Sequence, residues 1–280
     1  MRIKMEISNL TKKRIKDYLA SGKRFDGRDF LAHRPLEIET DISVNAEGSA
    51  RVKLGKTEVV AGVKMDVGEP YPDNEENGTM TTTLELLPLS SEEFDYGPPR
   101  INAIEIARIV DRGIRESGMI DFSKLCIKPG EKVWNIFIDM YSINDDGNLL
   151  DASALAAISA LMTAKFPKYD EKTEKVIYGE FTNKKLPLIK NIPLTFTFHK
   201  IGEKVIIDPG REEESASEVR VSIALSSDGK ETKINAMQKG EETALSVEEM
   251  TEIIDLAEKK YKESSKEIFE KIEKNLKGKK

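Results

Sequence analysis

The sequence predicts an α+β fold made of two similar, strand-rich halves, and two observations support this prediction. Alternating apolar residues, which are typical of strands, run through residues 36–67 and again through residues 192–225. Each strand-rich block is followed by segments with the 3.6-residue apolar period of a helix. Because the order of strands and then helix occurs twice, we expect two α+β halves packed against each other.

A short helical arm is expected to precede the first half, at residues 1–19. Ser8 can cap its helix, because a serine hydroxyl accepts hydrogen bonds from the free N–H groups of the first turn. The pair Ser21-Gly22 can end the helix, since glycine readily adopts the conformation that terminates it. The first half, predicted at residues 20–187, then opens with an antiparallel meander of strands.

Two helices and a central strand are predicted in the first half. The segment Ile101–Ser117 has apolar residues at i, i+3, i+4, i+7 and i+8 and should bury one face. Residues 151–166 are apolar nearly all round, as expected of a helix between two layers. Residues 133–143 are apolar on both faces and should form the middle strand of the sheet. A charged connector is predicted at residues 168–175.

The second half, predicted at residues 188–270, should end in a long helix. Ser246 and Glu249 have the spacing of a capping box, in which each side chain accepts a hydrogen bond from the other residue's backbone N–H. They predict a helix over residues 247–276. The last residues, 271–280, are predicted to be a basic tail.

The composition excludes several classes of protein. The 280 residues carry 44 Lys and Arg and 50 Asp and Glu, for a net charge of −6, so bulk charge cannot hold nucleic acid over the whole surface. No apolar run approaches the ~20 residues of a membrane helix, and a cytoplasmic protein without membrane contact is expected. Cys126 is the only cysteine, and the two histidines show no metal-ligand spacing, so no metal site is predicted.

The segment Ile101–Ser117 is also the richest basic feature of the chain. Arg108 and Arg112 are four residues apart on one helix face, which suits contacts to neighbouring phosphates of a single nucleic-acid strand. Ordinary ion pairing is the alternative, because Glu105 lies three residues before Arg108. The residues alone favour ion pairing and leave RNA contact open.

An acidic group follows the predicted strand that ends at Ile207. It consists of Asp208 and Glu212-Glu213-Glu214. Carboxylates at a strand end can hold Mg²⁺ or act as acid or base. A solvated run of charges is the more frequent explanation, so both interpretations stay open at this point.

Several ordered motifs resemble those of the RNase PH family. The family opens with an RxDGR segment and an RP pair, and this chain has Arg24-Phe25-Asp26-Gly27-Arg28 and Arg34-Pro35. Later matches are Glu85-Leu86-Leu87-Pro88-Leu89, Val110-Asp111-Arg112, Leu150-Asp151-Ala152-Ser153 and Asp208-Pro209. The resemblance covers nearly the whole chain. It implies an RNase PH-like fold, with a ribosomal protein S5 domain 2-like core followed by an RNase PH C-terminal domain.

Within this family, the details are most similar to the non-catalytic ring subunit of the archaeal exosome. That resemblance implies three kinds of partner: a catalytic RNase PH-like subunit with which heterodimers form a hexameric ring, RNA-binding cap proteins, and single-stranded RNA. The catalytic partner would degrade RNA from 3′ to 5′ by phosphorolysis. No cofactor is implied for this chain, because inorganic phosphate, with Mg²⁺ as a further candidate, would belong to the partner's site.

Departures from the family pattern imply that this chain has no catalytic residues of its own. Catalytic members carry two arginines just before the matching helix segment, and a Gly-Thr-Arg-Ser/Thr-like turn that binds phosphate before the central helix. A leucine in that turn can neither donate a hydrogen bond to phosphate nor neutralise its charge. The six former active-site positions are predicted to be degenerate here: Ile101, Asn102, Leu149, Leu150, Asp208 and Glu214.

The same resemblance implies that Arg108 and Arg112 contact RNA in the partner's active site. It therefore reverses the preference for ion pairing at these two positions only, while Arg100 and Arg115 remain predicted ion-pair or surface residues. Two alternatives stay open. The chain could be an active phosphate-dependent exoribonuclease by itself, or a purely structural ring subunit without RNA contact.

Overall fold

The computed structural model describes residues 7–277, so parts of the predicted arm (1–6) and tail (278–280) lie outside the described residues. The α-helices are α1 (Asn9–Ala20), α2 (Ile101–Ser117), α3 (Leu149–Thr163), α4 (Arg211–Ala216) and α5 (Val247–Lys277). The strands are β1 (Leu36–Thr40), β2 (Gly48–Leu54), β3 (Thr57–Gly68), β4 (Thr79–Leu86), β5 (Cys126–Lys128), β6 (Lys132–Asn144), β7 (Lys165–Asp170), β8 (Lys175–Lys185), β9 (Leu194–Ile201), β10 (Lys204–Ile207), β11 (Val219–Ser227) and β12 (Thr232–Gly240). Across the described residues, no helix has both the length and the apolar character that a bilayer crossing requires.

The first half is built on a six-stranded sheet in the order β1-β2-β3-β6-β4, with β5 paired to β6. β1, β2 and β3 form the predicted antiparallel meander. β6 lies between β3 and β4, which confirms its predicted central place. β4 runs parallel to β6, because α2 lies in the connection that carries the chain from one strand to the other.

The second half is a four-stranded sheet in the order β10-β9-β11-β12. Helix α3 contacts β2 and β3 of the first sheet and β9 of the second. Even Ser153 and Ser159 on this helix are fully buried, which confirms the prediction of a helix between two layers. Helix α3 therefore forms the shared centre of the core.

The predicted connector at residues 168–175 is wrong, because β7 and β8 pair as an antiparallel hairpin there. Most side chains of β8 are exposed on both faces, so its sequence lacks the apolar alternation that indicates a strand. Helix α3 also ends earlier than predicted, at Thr163. Phe166 lies in β7 instead, where its ring packs 5.3 Å from the ring of Trp134.

Helix α1 belongs structurally to the second half. The predicted cap is confirmed, since the Ser8 hydroxyl accepts a hydrogen bond from the N–H of Thr11 at 3.1 Å. The apolar side of α1 packs with Ile201 and Ile206 at the edge of the second sheet. Helix α1 therefore packs against the second half, although it precedes the first half in the sequence.

Helix α5 begins with the predicted capping box. Glu249 N–H donates to the Ser246 hydroxyl at 3.1 Å, and Ser246 N–H donates to the Glu249 carboxylate at 2.9 Å. The helix extends to Lys277, so residues 271–277 of the predicted tail are helical. Near its end, Asn275 Nδ2 donates to the carbonyl of Ile38 in β1 at 2.6 Å. The last turns of α5 thus fasten the second half to the first sheet.

Candidate functional site

A pocket opens at the N-terminus of α3, where the two halves meet. Four of the six predicted former active-site positions line it: Asn102, Leu149, Leu150 and Glu214. Ile101 is 56% exposed and lines the adjoining depression instead. Asp208 is fully buried and is linked to the pocket through Asn148, which lines it. The structure thus brings most of the predicted positions together at one place.

A carboxylate of the chain itself occupies the start of α3. The backbone N–H of Asn148, the N-cap residue, donates to Glu214 Oε2 at 2.9 Å. Helix N-termini attract anions because their first N–H groups lack partners within the helix and the helix dipole is positive there. Leu149 and Leu150 follow in the first turn, are nearly fully buried, and have side chains that add no donor. The position suited to a phosphate therefore already holds an internal anion.

Acidic side chains outnumber basic ones in the lining of this pocket. Both basic residues are engaged: Arg211 Nη2 lies 2.9 Å from Glu93 Oε1, and Arg220 pairs with Glu105. Burial and the charge of Glu214 raise the pKa of Asp145 to about 6, so this carboxyl is mostly ionised at neutral pH. An incoming phosphate would meet net repulsion from these charged groups: Glu93, Asp145, Glu214, Glu241, Arg211 and Arg220.

Asp208 lies at the centre of a buried ion-pair network. Arg34 donates to it from its backbone N–H at 2.6 Å and from Nη2 at 2.7 Å, and Arg28 donates from Nη1 at 3.0 Å. Arg34 Nε also donates, at 3.0 Å, and Asn148 Nδ2 adds a fifth donor at 3.1 Å. Burial acts to raise the pKa of Asp208, but the hydrogen bonds and charge of Arg34 outweigh it and keep the pKa below its ordinary value. Asp208 is therefore an ionised structural group.

The prediction of a solvated acidic run is wrong for two of its four members. Asp208 is fully buried, and Glu213 is 6% exposed. Arg24 grips both carboxylate oxygens of Glu213, at 3.0 and 2.5 Å. Glu212 is exposed, as a solvated run requires, and Glu214 is half-buried at the start of α3. Within residues 7–277, no three His, Cys, Asp or Glu side chains are grouped so that they could hold a metal ion.

The arginines of the RxDGR and RP motifs have a structural role that the sequence alone does not reveal. Arg34 Nη1 and Nη2 donate to the carbonyls of Asp146 and Gly147, at 2.8 and 3.0 Å, and so hold the loop before α3. Gly147 has φ +86°, and a Cβ there would lie 2.6 Å from the carbonyl oxygen of Pro209. Only glycine allows this close approach of the two loops. The motif arginines thus fix the geometry around the start of α3.

Arg108 and Arg112 lie on the exposed face of α2, beside an open cleft along β4. Glu105, the expected ion-pair partner of Arg108, pairs with Arg220 of β11 instead. Among the described residues, the Arg108 guanidinium has no hydrogen bond or ion pair. Arg112 Nη1 lies 3.0 Å from Glu116 Oε1, and both side chains are exposed. Exposed pairs of this kind contribute little, so both arginines remain accessible to an anionic ligand.

Arg100 and Arg115 are ion-paired, as predicted. Arg115 grips both oxygens of Asp111, at 2.9 and 3.0 Å, and also donates to the carbonyl of Met80 at 2.9 Å. Arg100 Nη2 lies 2.7 Å from the carboxylate of Asp95. Arg115 is therefore held by the carbonyl of Met80 and a bidentate ion pair, whereas Arg100, like Arg112, has a single exposed ion pair.

Comparison with known proteins decides the family. The family described as "3′ exoribonuclease family" matches this chain with its domain 1 at residues 32–167 and with its domain 2 at residues 191–260. The chain belongs to the 3′ exoribonuclease family. This membership confirms the predicted RNase PH-like fold of two α+β halves.

Within the 3′ exoribonuclease family, the chain is similar to proteins named exosome complex component Rrp42. It is 48% identical to the Methanosarcina acetivorans protein over 92% of each chain. It is 45% identical to the Thermococcus gammatolerans protein over 95% of this chain and 96% of that one. These similarities confirm the predicted resemblance to archaeal exosome components.

Solved structures of the 3′ exoribonuclease family support the same relationship. One chain belongs to a structure described as the Archaeoglobus fulgidus exosome with RNA bound to the active site. It superimposes with a TM-score of 0.79 at 43% identity, covering 89% of this chain and 93% of that one. A chain of a structure described as an archaeal exosome core has a TM-score of 0.76 at 41% identity, covering 89% of this chain and 92% of that one.

Proposed function

We propose that this chain is a non-catalytic subunit of an exosome-type ring. In this role it orders the active site of a catalytic RNase PH-like partner and helps to bind single-stranded RNA during 3′-to-5′ phosphorolysis. The names of its relatives support the proposal, as does the similar chain from an archaeal exosome with RNA bound. One observation carries it: Glu214 Oε2 accepts the N–H of Asn148 at 2.9 Å, where a phosphate would have to bind.

Phosphorolysis brings two anionic groups into contact. Inorganic phosphate attacks the terminal phosphodiester of RNA, so the active site must hold both groups with cations and hydrogen-bond donors. In this chain, the pocket at α3 has an internal carboxylate, a surplus of acidic side chains, and Leu149 and Leu150 in the first turn. These features argue against the alternative of an exoribonuclease that acts alone, and they support the proposal that the partner carries out the chemistry.

The exposed face of α2 supports the RNA-binding part of the proposal. Arg108 and Arg112 are four residues apart, which separates them by ~6 Å along the helix axis at ~1.5 Å per residue. Two cations at this spacing can contact phosphates of one strand. The acidic net charge of the chain does not prevent this, because distant charges are screened beyond ~8–10 Å at ordinary salt.

A purely structural role is the second candidate, and one observation favours it. Arg112 already pairs with Glu116 at 3.0 Å. Because this pair is exposed, we expect an RNA phosphate to replace Glu116 at small cost. Arg108, which has no ion pair among the described residues, is the stronger of the two candidates for RNA contact.

The proposed partners follow from this role. They are a catalytic RNase PH-like subunit, which alternates with this chain in a hexameric ring, RNA-binding cap proteins, and single-stranded RNA. Inorganic phosphate, with Mg²⁺ where it is needed, would be held by the partner. We also propose a cytoplasmic location, in keeping with a chain whose single cysteine can form no internal disulfide.

A reconstitution experiment tests the proposal. The full chain is incubated with poly(A) and inorganic phosphate, alone and together with its co-expressed catalytic partner, and nucleoside diphosphate release is measured. We expect release only with the partner. We also expect Arg108→Ala/Arg112→Ala to reduce it, whereas Arg51→Ala/Arg100→Ala, which removes two ion-paired arginines outside the cleft beside α2, should leave it unchanged.

Each other outcome selects an alternative. Diphosphate release by the chain alone would show that it is an enzyme, and the argument from Leu149, Leu150 and Glu214 would be wrong. Full activity of the ring with Arg108→Ala/Arg112→Ala would select the purely structural role.

A further inference from the structure

A large cavity lies under α5, separate from the pocket at α3 and from the exposed face of α2. Its volume is about 550 Å³. Its walls come from β1 and β2 of the first half, from α3, from β9 of the second half, and from α5. Sites for small molecules are commonly cavities of ~300–1,000 Å³ at domain interfaces, which is where this cavity lies.

One small residue on the inner face of α5 lines the cavity. Tyr261 and Ile272 on this face are 4% and 0% exposed, and Ile268 packs against the core between them. Ser264, at the inward position between Tyr261 and Ile268, lines the cavity. Its side chain leaves open the space that a leucine or isoleucine would fill. Since protein interiors contain few voids larger than a water molecule, a gap of this size is unusual.

The walls of the cavity are mostly apolar. Three strands and two helices contribute large side chains to the lining: Leu36, Leu54, Leu155, Leu194, Phe196 and Ile268. Water gains few hydrogen bonds at such walls, so an apolar occupant would be favoured over a filling of water.

One end of the cavity is basic. His33, whose ring centroid lies 5.9 Å from that of Phe196, shares this end with Arg28, Arg34 and Lys260. Burial lowers the pKa of His33, and the charges of Lys260, Arg28 and Arg34 lower it further, against the opposing charge of Asp208. The arginines and Lys260 therefore surround a mainly neutral imidazole at neutral pH.

Most of these cations already have partners within the protein. Arg28 and Arg34 both bind the buried carboxylate of Asp208, which is not part of the cavity lining. Asp151 in the lining is buried, and burial raises its pKa to about 7, so a large share of it is protonated at neutral pH. Glu267 pairs with Lys271 at 2.9 Å, and Lys260 pairs with Glu263 at 2.8 Å on the outer side of α5.

We propose that this cavity binds a small organic anion, whose apolar body packs against the leucine and phenylalanine walls and whose anionic group meets Lys260 at the basic end. Lys260 is suited to this role because its side chain is only 17% exposed, whereas its present partner Glu263 is 45% exposed. An anion inside the cavity would be less screened by water than Glu263 and would gain a stronger hydrogen bond. This site is independent of the proposed role in RNA degradation.

Three probes distinguish the contribution of the ligand's apolar body to binding from the contribution of its negative charge. The full chain is titrated by calorimetry with octanoate, with 1-octanol, and with inorganic phosphate. We expect octanoate to bind at one saturable site, 1-octanol to bind about tenfold more weakly because it lacks the charge, and phosphate not to compete with octanoate. No saturable binding of octanoate would overturn the proposal, as would equal binding of octanoate and phosphate.

Matched variants then locate the site. Ser264→Leu should narrow the cavity and weaken octanoate binding, while Ser265→Leu, one residue further and outside the lining, should not. The melting temperature shows that Ser264→Leu folds, and it should be unchanged or raised. Lys260→Gln should weaken octanoate about tenfold and leave 1-octanol unchanged, whereas Lys259→Gln should change neither. An octanoate affinity that is unchanged by Ser264→Leu would place the probe elsewhere and refute the site.

The two histidines of the chain give an independent readout. A bound carboxylate close to His33 stabilises its protonated form, so octanoate should raise the pKa of His33 in an NMR titration. His199 lines the pocket at α3 and serves as the internal control, with no expected change. A saturable octanoate signal without a shift at His33 would contradict the proposed orientation of the anion.

Discussion

The motif arginines and the α2 arginines carry the same charge but lie in opposite surroundings. Arg24 and Arg34 are 3% and 9% exposed, and each grips a buried carboxylate. Arg108 and Arg112 project into solvent, and only Arg112 has an ion pair among the described residues. Whether an arginine has a structural role or is available for binding therefore depends on whether its partner carboxylate is buried.

The two sets also differ in what they join. Arg24, Arg28 and Arg34 connect the N-terminal segment to residues 207–213 and thereby hold both halves around the start of α3. Removing a partner from such a network leaves an uncompensated charge in a place that water cannot reach. The α2 arginines are solvated, so their loss should cost the fold little and should affect a bound polyanion most.

The largest expected effect comes from disrupting the buried ion pairs of the motif arginines. Asp208→Asn keeps the shape of the side chain but removes the buried charge that Arg28 and Arg34 share, and leaves them only the more exposed carboxylates of Asp26 and Asp146. We expect it to lower the free energy of unfolding by about 3–5 kcal/mol, as measured by urea denaturation. Glu212→Gln, at the exposed end of the same acidic segment, is the control and should change stability by less than about 0.5 kcal/mol. Equal midpoints for the two variants would show that the network does not hold the fold.

Lowering the pH should weaken the ion pairs of Asp208 in the unmodified chain. The pKa of Asp208 is lower in the folded protein than its unfolded value of about 3.9, so its contribution to stability is present above that pH. That contribution is lost as the pH falls through the folded pKa. We expect the free energy of unfolding to drop below about pH 4 by on the order of 1.4 kcal/mol for each unit of pKa difference. Asp208→Asn, which lacks this carboxyl, should show a flatter dependence over the same range.

Removal of Arg108 and Arg112 should weaken RNA binding without changing the stability of the fold. In the ring assembled with the catalytic partner, Arg108→Ala/Arg112→Ala should weaken binding of poly(A). The slope of log affinity against log salt should become shallower by about 1.4, because each lost phosphate contact on a single strand contributes about 0.7. The urea midpoint of the chain should stay within the range of a surface change. An unchanged salt slope would argue that neither arginine contacts phosphate.

The smallest expected effect concerns the difference between Arg108 and Arg112. Glu116→Gln releases Arg112 from its exposed pair and should raise RNA affinity slightly, by a factor of about two or less. Glu252→Gln on α5 removes the same charge from an exposed position and serves as the control. A similar gain in both variants would indicate a general charge effect instead of release of Arg112.

The sequence predicted those elements whose signals are local. The bounds of α2 agree with its apolar period, and Ser246 and Glu249 form the capping box that their spacing indicates. The central place of β6 also followed from its apolar character. The hairpin of β7 and β8 was missed, because β8 is exposed on both faces and carries no period that could reveal it.

The amino-acid sequence by itself determined the two-half fold class, the family resemblance, and the loss of phosphate donors at Leu149 and Leu150. Only the tertiary structure decided which charges meet: Arg34 reaches Asp208 across 174 positions, and Glu214 lies 66 positions from the N–H of Asn148 that it occupies. Local spacing cannot encode such pairings, since the packing of the two halves around α3 brings these groups together. Burial then sets their energies, because the same ion pair is strong away from water and weak on the surface.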